Sequence, residues 1–248
     1  MKPFLLITDL DNTLVGDDAA LAELNHQLTH LRQHGSKLVY STGRSRTSYQ
    51  KLTTERTLLA PDLLVCAVGT EVYSGDSTTP DASWSEKLTQ NWDRDLAIAC
   101  ASQFADLTPQ ADSEQRPFKV SYFLTPQAAV EVVPQLEALL HDRGLDAQVI
   151  YSGEQDLDIL PRLANKGRAM TFVRQVLDFP PEATIACGDS GNDLALFVDR
   201  SEFGIIVGNA MPELLRWHQA HPNPDRRYLS QAFCAAGILE GLQHFGFL

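Results

Sequence analysis

The chain has 248 residues, 44% of them hydrophobic and 21% charged, and a formal net charge of −12. That length suits one or two domains with a real core, and the composition excludes wholesale disorder. The negative balance opposes a nucleic-acid function and demands a local cationic pocket if the ligand is an anion.

No stretch approaches the ~18 apolar residues needed to span a bilayer. The run after Met1-Lys2-Pro3 carries Asp9 and Asp11 and lacks the uncharged core and small cleavage residues of a secretory signal, so a cytoplasmic protein is expected. Cys66, Cys100, Cys187 and Cys234 are scattered without a CxxC pair and read as buried, reduced thiols.

Phe4 to Leu10 is a short apolar run suited to a buried strand. A helix with Leu21, Leu24, Leu28 and Leu31 at helical spacing follows, ending at His34-Gly35. Lys37–Ser41 reads as a second strand, Ser45 onward as a helix and Leu63–Val68 as a third strand. After Ser74 the pattern changes: a loop over 75–85, a helix over 86–104 and a strand over 119–124. A helix with Pro134 in its first turn then runs to Gly144, and a hairpin over 147–160 turns at Ser152-Gly153. From Pro161 the alternation returns, with a helix over 165–177, a strand over 184–187, a short helix over 194–198, a strand over 203–207 and a last helix over 235–245. The fold class is α/β, a Rossmann-like parallel sheet core with an inserted α+β domain. The expected division is 1–76 and 161–248 for the core and 77–160 for the insert.

In an open parallel sheet, ligands bind at the carboxyl ends of the strands. Asp9, Asp11 and Thr13 follow the first strand; Thr42, Gly43 and Arg44 follow the second; Asp189, Asn192 and Asp193 follow the strand at Thr184, and Lys166 opens the helix after the insert. Asp9 and Asp11 point the same way if the strand stays extended. Four acids without His or Cys suit Mg2+ rather than Zn2+. Lys166, the Thr42 hydroxyl and backbone N–H groups would meet phosphate oxygens. Each motif alone is also an ordinary turn or cap; their convergence at successive strand ends is what argues for a site.

Asp9-Leu10-Asp11-Asn12-Thr13, Thr42 in Ser41-Thr42-Gly43-Arg44, Asn165-Lys166-Gly167 and Gly188-Asp189-Ser190-Gly191-Asn192-Asp193 resemble the four motifs of the haloacid dehalogenase-like hydrolases. The insert resembles the large cap of the sugar-phosphatase branch. Lys119-Val120-Ser121-Tyr122, Asp156-Leu157-Asp158 and Trp217-His218 resemble the cyanobacterial sucrose-phosphate phosphatases. The resemblance implies Asp9 as nucleophile and Asp11 as acid and base. It implies a Mg2+ held by Asp9, the Asp11 carbonyl and Asp189 with Asp193 nearby, and Thr42 and Lys166 on the phosphoryl oxygens. Asn192 would orient Lys166 or the phosphate, and Thr13 would support its loop.

The expected activity is Mg2+-dependent hydrolysis of sucrose 6-phosphate through an aspartyl-phosphate. Gly43, Arg44 and the cap residues Lys119, Ser121, Tyr122, Asp156 and Asp158 would contact the substrate. Another sugar or glycosyl phosphate, such as mannosyl-3-phosphoglycerate or glucosylglycerol phosphate, stays open. So do a phosphotransferase and a non-catalytic phosphosugar-binding partner of a sugar-phosphate synthase. Association with a sucrose-phosphate synthase is the partner the resemblance suggests. His26, His30 and His34 read as a solvated helix face rather than a metal stripe, and Trp84 and Trp92 as core or hinge packing as readily as sugar platforms.

Overall fold

The computed structural model describes residues 2–75 and 77–248; Met1 and Asp76, the expected end of the first core segment, lie outside the described residues. The chain begins with β1 (Leu5–Thr8), α1 (Asp18–Gln33), β2 (Lys37–Ser41), α2 (Arg46–Glu55), β3 (Leu63–Cys66) and β4 (Glu71–Ser74). It continues through α3 (Ala82–Leu88), α4 (Arg94–Ala101), β5 (Thr108–Pro109), β6 (Val120–Phe123), α5 (Pro126–Asp142), β7 (Ala147–Ser152) and β8 (Asp156–Pro161). It returns with α6 (Lys166–Val176), β9 (Thr184–Gly188), β10 (Phe203–Ile206), α7 (Pro212–Ala220), β11 (Arg227–Leu229) and α8 (Cys234–His244).

The core is a seven-stranded sheet in the order β11-β10-β9-β1-β2-β3-β4. Every pairing is parallel except β3 with β4. β1 sits at its centre, buried along its whole length, which explains why its sequence is a continuous apolar run. Leu6 and Leu10 pack on one face with Leu24, Leu28 and Ile238 from α1 and α8, while Leu5 and Ile7 pack on the other with Met170 and Val173 of α6. Asp17 caps α1, its carboxylate accepting from Ala19 and Ala20 N–H.

The second sheet has the order β5-β6-β8-β7 and is antiparallel. α4 and α5 close one face of it through Ala97, Cys100, Leu136 and Leu140 against Tyr122, Leu157 and Ile159. The opposite face, which carries Ser121 and Asp158, roofs the carboxyl edge of the core sheet.

Three expectations change. The helix over 86–104 is two helices, because Asn91 takes a left-handed conformation (φ 56°) and Asp93 caps a new start. α3 moreover packs with the core, burying Trp84 and Leu88 against Val72 and Met170. Pro134 lies inside α5, not in its first turn, which Pro126 occupies after the Thr125 cap. The carbonyl that Pro134 leaves unpaired belongs to Val130, which is 77% exposed and open to water. Beyond those expectations the sheet gains β4 and β11, whose four and three residues are too short for a pattern to announce them. All four cysteines are buried and free. No helix among the described residues is long and apolar enough to cross a membrane.

Candidate active site

β1 and β9 deliver their acids side by side. The register aligns Thr8 with Cys187, and the Asp9 N–H donates to the Cys187 carbonyl at 3.0 Å, so Asp9 and Asp189 emerge from adjacent strands. The chain then turns through Asn12 at φ 57°. That turn brings the Thr13 hydroxyl round to donate to Asp189 Oδ1 at 2.7 Å.

Lys166 reaches the same point from α6. Asn165 caps that helix, accepting from Arg168 N–H at 2.8 Å. Gly167 lets the helix come close to the turn after β9: a Cβ there would lie 1.9 Å from the Ala195 carbonyl oxygen. The approach places the fully buried Lys166 Nζ 2.8 Å from Asp9 Oδ1 and 2.6 Å from Asp193 Oδ1. Asp193 Oδ2 accepts from the N–H groups of Asp189 and Ser190 at 3.0 and 3.1 Å. Both oxygens of Asp193 are therefore engaged, and it acts as an anchor for Lys166 and the loop. Asp9 and Asp189 each keep an oxygen free of protein partners among the described residues.

Burial pushes the Asp9 carboxyl well above the usual carboxylate range, with Asp193 and Asp189 adding to it and Lys166 opposing. Burial and then Asp193 push Asp189 up to about 7. Burial disfavours the Lys166 ammonium, but Asp193 and Asp9 outweigh it and hold the lysine charged. Asp9, Asp189 and Asp193 can bring one oxygen each within 4.8 Å of one another. Three buried carboxylates exceed one ammonium, and the donors are all oxygen. The set fits a hard divalent cation.

The Asp11 side chain does not run alongside that of Asp9, as an extended strand would have it. It turns away to Arg44, whose Nε and Nη2 each lie 2.7 Å from one of its oxygens, so only its backbone carbonyl remains for a cation. A bidentate guanidinium satisfies this half-exposed carboxylate better than water does.

Above the acids lies a cavity of about 570 Å³. Asp9, Asp11, Asp189 and Asn192 line its floor, Gly43 and Arg44 its side, and Lys119, Asp156 and Asp158 its roof. Lys119 is buried, 3.3 Å from Asp158 Oδ1, and its Nζ donates to the Gly43 carbonyl at 3.4 Å, so it bridges cap and core. Burial and then Asp158 raise the Asp156 carboxyl. Among the described residues Asn192 Oδ1 is buried with no hydrogen-bond partner and its side chain makes no bond to Lys166, so its amide suits a ligand better than the lysine.

Other expected residues stand behind the wall. Thr42 is fully buried, and its hydroxyl accepts from Arg44 N–H at 3.1 Å. Ser121 is also fully buried and donates to Asp158 Oδ1 at 2.6 Å, so it orients that acid. Tyr122 points into the cap's own core, because successive strand residues face opposite ways and its neighbour Ser121 takes the cavity side. Trp84 Nε1 donates to the Gly69 carbonyl and Trp92 Nε1 to that of Pro117, so both pack rather than line the cavity. Trp217 lies under Arg227, whose guanidinium carbon is 4.3 Å from the ring centroid. His26, His30 and His34 are exposed.

Two acids escaped the sequence reading. Glu114 of the cap accepts from Ser45 N–H and Oγ at 3.1 and 2.9 Å. Glu213 Oε1 accepts from the N–H groups of Gly153 in the cap and Gly191 in the core, both at 3.2 Å. No spacing announces either, since each acts on residues far away in the chain.

Residues 2–246 match the family model of sucrose-6F-phosphate phosphohydrolase. The chain is 42% identical over 250 residues to probable sucrose-phosphatase 2 of Arabidopsis thaliana, covering 97% of this chain and 59% of that protein. It thus spans about three-fifths of the length of the curated plant relatives it matches. The mannosylfructose-phosphate phosphatase of Agrobacterium fabrum is 34% identical over 249 residues, 99% of this chain and 98% of that one. The crystal structure of the Synechocystis sucrose-phosphatase in complex with sucrose and phosphate superposes with a TM-score of 0.93 at 43% identity, covering 99% of each chain.

Proposed function

The chain belongs to the sucrose-6F-phosphate phosphohydrolase family, and we propose that it hydrolyses sucrose 6-phosphate to sucrose and phosphate through a phosphorylated Asp9. The observation that carries this reading is Asp9 itself: buried, one oxygen held by Lys166, the other free toward a cavity roofed by the cap. The residues from α4 to β8 act as that cap, while α3 stays with the core.

Asp9 Oδ2 attacks phosphorus in line with the bridging sugar oxygen. The P–O bond to the sugar breaks, and Asp11 supplies the proton to the leaving oxygen. Asp11, now ionised, takes a proton from water; the hydroxide attacks phosphorus, and Asp9 leaves with its electron pair. Lys166 favours the ionised nucleophile against the burial that opposes it, and Asp193 keeps Lys166 in place. Asn192 and the Gly43 N–H receive the phosphoryl oxygens, the N–H groups of Thr42 and Arg44 being taken by Val65 and Thr42. Asp9, Asp189 and the Asp11 carbonyl would hold Mg2+, which would supply positive charge against the charge of the phosphoryl group.

The cap decides the sugar, because the core residues reach only the phosphoryl group and the first oxygen. Lys119, Asp156 and Asp158 offer charged partners for hydroxyls. The full-length match to a mannosylfructose-phosphate phosphatase favours a second reading in which the non-phosphorylated sugar differs. A phosphate-release assay over sucrose 6-phosphate, mannosylfructose 6-phosphate, mannosyl-3-phosphoglycerate and glucose 6-phosphate tests the substrate. Highest kcat/KM on sucrose 6-phosphate is expected, and a preference for another ester overturns it. Asp9→Asn should fold and lose at least ~10³-fold in kcat.

A further inference from the structure

The face of α6 opposite Lys166 borders a second cavity, of about 610 Å³, as large as the catalytic one. At about 100° per residue, Arg168, Thr171, Phe172 and Gln175 project about 140° to 240° round the helix from Lys166. Trp84 and Lys87 on α3 and Arg200 after β9 complete the walls.

Its charge is contrary to that of the whole chain. Lys87, Arg168 and Arg200 face it with a single carboxylate, Asp199. None of the three cations forms an ion pair among the described residues. Arg200 is fixed in place, Nε donating to the Ala195 carbonyl at 3.0 Å and Nη1 to Thr171 Oγ1 at 2.9 Å. Burial weakens the hold of its guanidinium on its proton, with Arg168 and Arg174 adding to that and Glu202 and Asp199 opposing it. Unpaired converging cations of this kind gain from an anion.

The rest of the lining is aromatic and amide. The Trp84 and Phe172 rings lie 5.1 Å apart, and the Lys87 ammonium sits 5.0 Å over Phe172. Trp84 is buried, so it offers no open face for a nucleobase. The edges of this pair, with Gln90, Gln175 and Asn165, suit the hydroxyls and ring of a sugar.

We propose that this cavity is a second, non-catalytic site for a small phosphorylated sugar, with Lys87, Arg168 and Arg200 on the phosphate. Its walls touch the machinery at two points. Asn165 caps the helix that carries Lys166, and Arg200 Nη2 would lie 2.3 Å from a Cβ on Gly167, so the guanidinium packs closely against the residue after the lysine. Both segments joining core and cap also pass here, through Gln90 and Leu163. An occupant is therefore placed to bias α6 and the cap hinge. The proposal holds whichever ester the catalytic cavity hydrolyses.

The test is calorimetric titration of the full chain with Mg2+ present, using the phosphonate analogue of glucose 6-phosphate, which has no ester oxygen to cleave. Wild type, Arg168→Glu, Lys87→Glu and Lys119→Ala are compared. Saturable binding is expected, weakened at least ~10-fold by Arg168→Glu and by Lys87→Glu but retained in Lys119→Ala. Both reversed residues are exposed, so these variants should fold. No saturable binding at millimolar ligand overturns the proposal. So does binding that both charge reversals leave unchanged, or binding that only Lys119→Ala removes, which would place the ligand in the catalytic cavity.

Discussion

Arg44 and Asp11 face each other as fork and carboxylate, with two hydrogen bonds of 2.7 Å between groups that follow β2 and β1. The pair is partly exposed, at 29% and 44% of the side chains, so it is worth at most about 1 kcal/mol to the fold. Its value lies in orientation. Asp11 must meet the leaving oxygen and then water from one position, and Arg44 holds it there while Ser48 holds Arg44 at 2.9 Å.

Arg44→Gln should therefore lower kcat without lowering Tm. Asp11→Asn alone should cost ~10²–10⁴ in kcat, the usual worth of acid–base help. The double variant should be no worse than Asp11→Asn by itself, because the arginine acts through the acid. Additive losses in this double-mutant cycle would show that Arg44 binds the phosphoryl group independently.

Lys166 is the hub of the buried charges, with Asp9 and Asp193 on either side. Lys166→Ala leaves two buried carboxylates without their cation, and in the metal-free protein that should cost ~3–5 kcal/mol in urea unfolding near neutral pH. The deficit should shrink in acid, where the orphaned carboxylates take up protons. A uniform deficit from acid to neutral pH would mean that lost packing, not charge, is responsible.

The raised Asp189 carboxyl links metal, pH and stability. Its value moves from 3.8 to about 7 in the folded, metal-free protein. The folded state thus binds a proton that the unfolded state has released. The stabilisation this gives is full below about pH 4 and is lost as pH rises through about 7. Mg2+ competes with that proton. Its apparent Kd should rise up to ~10-fold per pH unit below about 7, and it should raise Tm more at about pH 8 than at about pH 6. Equal Tm shifts at both values in scanning calorimetry would remove Asp189 from the metal site.

Much of the catalytic floor was legible because its residues end apolar runs. Asp9 closes β1 and Asp189 closes β9, and a strand buried on both faces announces itself by its unbroken hydrophobicity. Lys166 was legible through the company it keeps with the other strand-end clusters and through the motif Asn165-Lys166-Gly167, since a lysine after an Asn cap alone reads as a solvated helix start. Glu114 and Glu213 were not, since a carboxylate that accepts distant backbone N–H groups has no periodicity. Tyr122 was misjudged against a rule the sequence already contained: it adjoins Ser121 on one strand, so the two cannot share a face. Pro134 escaped because the exposure of Val130, which makes a proline there tolerable, is a tertiary fact.

The roof of the cavity carries the last prediction. Asp158 is held from two sides, by the Ser121 hydroxyl at 2.6 Å and the Lys119 ammonium at 3.3 Å. Lys119 also lies 3.9 Å from Glu114, which is tied to Ser45 of the core. A sugar hydroxyl entering this cluster meets a preorganised acceptor and a preorganised donor, each stronger than a neutral partner. Truncating Lys119 would strand Asp158 without its cation, so Asp158→Asn is the cleaner probe: it keeps the shape and removes the charge. It should raise KM for sucrose 6-phosphate ~10-fold or more, with a smaller change in kcat. Hydrolysis of 4-nitrophenyl phosphate should change little, because that ester is too short to engage the roof. Ser121→Ala should move KM in the same direction by less, since it only loosens Asp158. If Asp158→Asn slows both substrates equally, the acid supports the fold or the catalytic floor, and the roof does not read the sugar.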